Sequence, residues 1–165
     1  MQGSTSSRSK SSARKSALRS EGVETVPGAA RYYTLAEANL KVPELERRFA
    51  EVARRMSRAQ ELNDQVSDLE IVWGAKLLDA SCPEHRAYLE YKRNLTAEES
   101  AVGDLLGAVR ADGIEVKDVH TGLIDFYARR GAEVVYLCWR RGEPEVGYWH
   151  TLQGGFTGRK PIKEF

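Results

Sequence analysis

The sequence is poor in the features that most readily betray a function. No run of it approaches the roughly 18 apolar residues a membrane helix needs. Its N-terminus lacks the apolar core of a secretory signal. The two cysteines, Cys82 and Cys138, lie far apart and form no CxxC pair. That spacing leaves one disulfide as the less favoured reading and fits two free thiols in a reducing, cytoplasmic setting better. GxGxxG, a P-loop, GxSxG and HExxH are all missing, as is any paired metal-ligand spacing, which removes the usual signs of the common reaction classes.

What is present is enough for one soluble domain. The chain has 165 residues, 41% hydrophobic and 30% charged, which predicts a single packed core with a tail. The net charge of +1 is unevenly spread. Arg8, Lys10, Arg14, Lys15 and Arg19 give residues 1–20 a charge of +5, which leaves −4 for the remainder. A mildly acidic folded part argues against a nucleic-acid-binding domain. Residues 1–28 are Ser-rich, basic and short of large apolar side chains. Such a segment buries too little surface to offset its ordering entropy, so a disordered tail is expected. A phosphate-seeking arm or a short transit peptide are the rival readings of the same composition.

The domain proper is expected over 31–165, with a helical hairpin at 31–112 and a sheet at 113–165. Thr34-Leu-Ala-Glu37 has capping-box spacing, predicting a short helix to about Lys41, with Pro43 opening the first turn of a new one. From Pro43 to about Asp79, Leu45, Phe49, Val52, Met56, Ala59, Asn63, Val66, Glu70, Trp73 and Leu77 recur in steps of three and four. That is a coiled-coil-like seam roughly 55 Å long, with Asn63 on it. Ser81-Cys82-Pro83 breaks the pattern. Tyr88, Tyr91, Leu95, Glu98, Val102, Leu105 and Val109 then mark a second helix from about Glu84 to Ala111, with a possible restart capped by Thr96. Two such helices joined by a short turn make an antiparallel hairpin. After Gly113 the period becomes two. Leu123–Tyr127, Glu133–Arg140 and Val146–Leu152 read as strands, the middle one central because it is apolar on both faces. The fold expected is α+β: a long helical hairpin plus a small antiparallel sheet of three or four strands.

Several short motifs carry a resemblance. They are Tyr33-Thr-Leu-Ala-Glu-Ala-Asn39, Gly113-Ile-Glu-Val-Lys-Asp118, Gly122-Leu-Ile-Asp-Phe126, Val135-Tyr-Leu-Cys-Trp-Arg140, Gly142-Glu-Pro-Glu145, Tyr148-Trp-His150 and Gly155-Phe-Thr-Gly-Arg159. Together they resemble the bacterial family known as domain of unknown function 2203, from about Arg31 to Ile162. The resemblance implies a small bacterial cytosolic protein. It brings no activity, cofactor or catalytic residue with it.

Candidate chemistry therefore rests on polar residues within an apolar sheet. Asp125 sits between Ile124 and Phe126, Arg140 ends the central strand, Glu143 and Glu145 flank a turn, and His150 follows Tyr148-Trp149. Arg159 lies in a glycine-bounded loop, and Asp118 is expected just before the first strand. A carboxylate can orient His150 for proton transfer while Arg140 or Arg159 holds an anion, with Asp118 a further ligand-binding candidate. Alternatively Asp125, Glu143 and His150 can share one divalent metal. Each residue alone also has a plain structural reading, such as an Arg140–Glu145 cross-strand pair, and Cys138 reads as a small core residue. No cofactor is specified. The favoured function is a non-enzymatic assembly module, a homodimer or other protein partner meeting the hairpin through Leu62, Leu69, Val72, Leu78, Leu89 and Leu106. The alternative is a small enzyme or a metal- or anion-binding protein with its site at Asp125, Arg140, Glu143 and His150. Convergence of those four in one cleft favours the second reading, and scatter over the surface favours the first.

Overall fold

The computed structural model describes residues 31–165, so the expected tail at 1–28 lies outside the described residues. Thr34 caps α1 (Leu35–Trp73): its hydroxyl accepts from the Glu37 amide, and Glu37 returns a bond to the Thr34 amide. The helix does not stop before Pro43. It runs unbroken for 39 residues with Pro43 inside it. A proline removes one backbone bond and costs about 3 kcal/mol. Ala38, Val42, Leu45 and Phe49, on both sides of it, are all buried, and that continuous apolar stripe holds the two segments in one helix. Gly74 ends α1, and one stretch of 3-10 helix, Gly74–Leu78, follows.

The return helix, α2 (His85–Ala111), is also continuous. Thr96 caps no restart. Its hydroxyl donates back to the Lys92 carbonyl at 3.0 Å, a bond made inside a helix. The hairpin is therefore as expected in outline, with one seam position exchanged. Leu62 is 1% exposed, whereas Asn63 is exposed and borders the open groove between the helices. The inward positions step 52, 56, 59, 62, 66, with Val52, Leu62 and Val66 buried and Met56 and Ala59 half-buried. From Val52 to Val66 the steps still sum to two heptads, so the change is local: an apolar leucine takes the inward place that the pattern gave to Asn63.

The C-terminal part is a five-stranded antiparallel meander, with β1 (Ile114–Asp118), β2 (Leu123–Arg130), β3 (Glu133–Arg140), β4 (Tyr148–Thr151) and β5 (Lys160–Pro161) in spatial order. β3 is central, as its two apolar faces require. The outermost strands exceed the three or four expected. β1 carries the half-polar Glu-Val-Lys run, and β5 has only two residues, so neither shows a clear alternation. Asp118 accordingly closes β1 rather than preceding the sheet.

Strand alternation splits the sheet into two faces. Ile114, Ile124, Phe126, Val135, Leu137, Trp139 and Trp149 pack with Tyr33, Val42, Phe49, Leu106 and Val109 of the helical part in one core. Polar bonds fix the helices on the sheet. The Tyr33 amide donates to the Tyr127 carbonyl at 2.7 Å, and its hydroxyl to the Asp112 carbonyl at 2.6 Å. The Val146 amide donates to Asn39 Oδ1 at 2.8 Å, and the Gly142 amide to Glu46 Oε2 at 2.9 Å. Gly122 needs its φ of +64° where β2 begins, because a Cβ there would lie 2.7 Å from that of Arg141. A second, smaller cluster of Val66, Leu77 and Tyr88 closes the far end of the hairpin. Among the described residues no helix is long and apolar enough to cross a membrane.

Candidate functional site

The face of the sheet turned away from the helices is unusually rich in polar groups. The β2–β3 register places Asp125 opposite Cys138, and Tyr127 opposite Tyr136. The β3–β4 register places Tyr136 opposite His150, and β1 brings Glu115 beside Asp125. Three adjacent strands therefore deliver a carboxylate, a thiol and an imidazole to one spot. Asp125 and His150 are each 2% exposed and Cys138 is fully buried. One donor atom from each of the three lies within 4.8 Å of the others.

Hydrogen bonding orients the imidazole. His150 Nδ1 lies 2.8 Å from the Thr151 carbonyl. A carbonyl only accepts, so Nδ1 carries the hydrogen. Nε2 faces Asp125 Oδ2 at 3.2 Å. Burial works against the charged imidazole, but the bond and charge of Asp125, with the Thr151 carbonyl, outweigh it and raise the His150 pKa. The other carboxylate oxygen, Asp125 Oδ1, is buried and has no hydrogen-bond partner of ordinary geometry. Lys117 Nζ stands 4.0 Å from Asp125 Oδ2 and 4.5 Å from the centre of the Tyr136 ring, and it is paired with Glu115. Burial, and then the Asp125 charge, push the Cys138 thiol well up. A buried, protonated thiol is a poor nucleophile, so covalent chemistry through sulfur is disfavoured.

These groups floor a cavity of about 290 Å³, walled by Lys117, Leu123, Leu152, Gly155 and Phe156. Arg159 and Glu143 form a separate clamp beside it. Arg159 donates to Glu143 Oε2 at 2.7 Å and lies 4.1 Å over Tyr148 and 5.0 Å over Phe156. The same Glu143 oxygen accepts from the Arg140 amide at 2.9 Å, while the Glu143 carbonyl accepts from Trp139 Nε1. The exposed Arg140 guanidinium sits 5.7 Å from the Phe156 ring. Glu143 is thus engaged in holding the loop that carries Phe156, the cavity's aromatic wall.

The sequence candidates sort accordingly. Asp125 and His150 meet at the floor; Glu143, Arg159 and Arg140 support the wall; Asp118 is elsewhere. Asp118 Oδ1 accepts from the His120 and Thr121 amides, which makes it a turn cap. Sequence reasoning missed Cys138 and Lys117 as members of the site. The signal for Cys138 was the two-residue turn at Gly131-Ala132. It pairs Arg130 with Glu133, and counting back from there sets Cys138 opposite Asp125. Three further concavities lie along the hairpin, one between the helices at Met56, Asn63 and Leu95, one at its tip beside Trp73 and Cys82, and one between α1 and the turn after β1 at Ser57 and His120. None gathers a comparable set of buried titratable groups.

Among protein families, the model described as "Uncharacterized conserved protein (DUF2203)" matches residues 31–162. No curated protein and no solved structure matches the chain.

Proposed function

The chain belongs to the DUF2203 family, a name that carries no activity, and from the geometry we propose that it binds a small ligand in the cavity on the outer sheet face. One observation carries this reading: a buried carboxylate–imidazole pair floors a cavity and leaves Asp125 Oδ1 without a hydrogen bond of ordinary geometry. An unsatisfied buried carboxylate oxygen costs on the order of 1–3 kcal/mol. A protein that keeps one facing a cavity has a reason to fill it. The helical hairpin then serves to hold the inner face of the sheet rigid. Native mass spectrometry of protein taken from cells tests the idea. We expect a retained ligand on wild type that is absent from a folded Asp125→Asn variant. Wild type with nothing bound, and no thermal shift with any added metal or small polar ligand, overturns it.

A second reading concerns the far end of the hairpin. Ile71, Val72, Leu78 and Leu89 are more than half exposed there, and large apolar side chains left exposed at one end of a hairpin suit an interface. The occupant we favour is a second copy of this chain. Between Gln60 and Trp73, α1 carries Glu61, Asp64, Asp68 and Glu70 and no basic residue, while the start of α2 carries Arg86, Lys92 and Arg93 against one acid, Glu90. Two-fold pairing of α1 against the partner's α2 sets those acids near those bases.

A further inference from the structure

We propose that Asp125, Cys138 and His150 bind one divalent transition ion of the zinc type, with a fourth position opening on the cavity. This rests on the reading of that cavity as the working site, and it names the occupant of its floor. The donor set is the first argument. Carboxylate oxygen, sulfur and imidazole nitrogen together suit zinc and its neighbours, and not magnesium or calcium, which take oxygen ligands.

Geometry is the second. At bond lengths of about 2.0–2.3 Å, a tetrahedral ion needs its ligand atoms roughly 3.3–3.8 Å apart. The His150 Nε2 to Asp125 Oδ2 separation is already 3.2 Å, and all three donors fall within 4.8 Å, so small side-chain rotations suffice. The three residues stand on adjacent strands β2, β3 and β4, and backbone pairing fixes their spacing.

The surrounding shell is the third. A ligating histidine ordinarily donates its other N–H to a carbonyl or carboxylate, and His150 Nδ1 has the Thr151 carbonyl at 2.8 Å. That leaves Nε2 pointing at the other two donors. Asp125 Oδ1, buried without a hydrogen bond, gives the carboxylate a second oxygen for the ion. Glu143 is excluded from the set by its bonds to Arg159 and the Arg140 amide. Three protein ligands with a cavity at the fourth position match open zinc sites, which keep a place for water or substrate, rather than closed structural ones. Charge is conserved when the site fills. The ion enters as the thiol proton and the Nε2 proton leave, so a dication replaces two protons.

Cobalt spectroscopy of the full chain, stripped with a chelator and titrated with Co²⁺, tests this. We expect uptake of one ion per chain, an intense near-ultraviolet thiolate-to-cobalt band, and strong visible absorption of tetrahedral type, all reversed by excess Zn²⁺. Cys138→Ser should abolish the near-ultraviolet band, Cys82→Ser should keep it, and His150→Gln should weaken binding by more than about tenfold. Should the variants fail to fold, the wild-type spectrum decides alone: saturation without the thiolate band overturns the proposal, as does uptake unaltered by Cys138→Ser. A chain that takes up no Co²⁺ or Zn²⁺ yet retains an organic ligand through Asp125 overturns the metal and keeps the binding cavity. A chain that takes up neither overturns both.

Discussion

Burying a carboxylate costs several kcal/mol unless charge and hydrogen bonds offset it, and Asp125 is offset on one oxygen only. A residue of that kind is retained for what it binds or is a burden on the fold. The neighbouring positions Leu62 and Asn63 show the opposite situation, in which a single step along a helix separates consequence from indifference. Leu62 is 1% exposed, and Asn63 is a solvated residue at the rim of the groove between the helices. Leu62→Ala should therefore cost about 2–5 kcal/mol through lost burial and a residual cavity. Asn63→Leu should change stability by less than about 0.5 kcal/mol. Urea unfolding of the two variants checks the pair, and a large effect of Asn63→Leu in either direction would return Asn63 to the seam.

At the scale of elements, the open end of the hairpin is tied to the sheet by a few polar bonds set around an apolar core. Lys41 Nζ donates to Asp112 Oδ2 at 2.9 Å, joining α1 to the end of α2. That bond holds the Asp112 carboxyl below its ordinary 3.8 and raises the Lys41 pKa. A depressed carboxylate contributes stability above its unfolded pKa and loses it as pH falls through the folded one. Asp112→Asn should thus be less stable than wild type at neutral pH, by at most about 1 kcal/mol because both groups are partly solvated. The gap should close as the pH falls below 3.8. Unfolding free energies of both proteins from pH 3 to 7 test the linkage, and a gap that stays constant across that range would show that Asp112 acts only as a helix end.

For the whole molecule, size decides what can be covered. A helix of 39 residues spans roughly 58 Å, whereas an eight-residue strand reaches about 27 Å. The sheet can shield only one end of the hairpin. At the other end Ile71 is 82% exposed, Leu78 75% and Val72 72%. Sedimentation equilibrium at micromolar concentration should find twice the chain mass, and Val72→Asp should return it to a single chain while leaving the thermal midpoint of the sheet core in place. Single-chain mass for wild type throughout would end the dimer reading.

The sequence by itself determined the elements that depend on local pattern. The Thr34 capping box, the second helix, the break at Ser81-Cys82-Pro83 and the central β3 were all legible, because capping chemistry and hydrophobic period act over a few residues. The family is likewise written in short motifs that survive without any knowledge of shape. Continuity through Pro43 was not legible, since it depends on what Val42 and Leu45 pack against. Nor was the inward place of Leu62 in preference to Asn63, since a step of three or four is open at that point and packing against α2 decides between them. The site divides the same way. Asp125 and His150 stood out as polar residues in apolar strands, a mismatch visible in one dimension. Cys138 looked like core until β3 paired with β2, because a thiol beside leucine and tryptophan reads as apolar. Only the register decided that it faces Asp125 and not the helices, and only packing decided that Glu143 is held by Arg159 and lies outside the set. Local propensity names the side chains; long-range pairing, whose partners are separated by many residues, decides which of them meet.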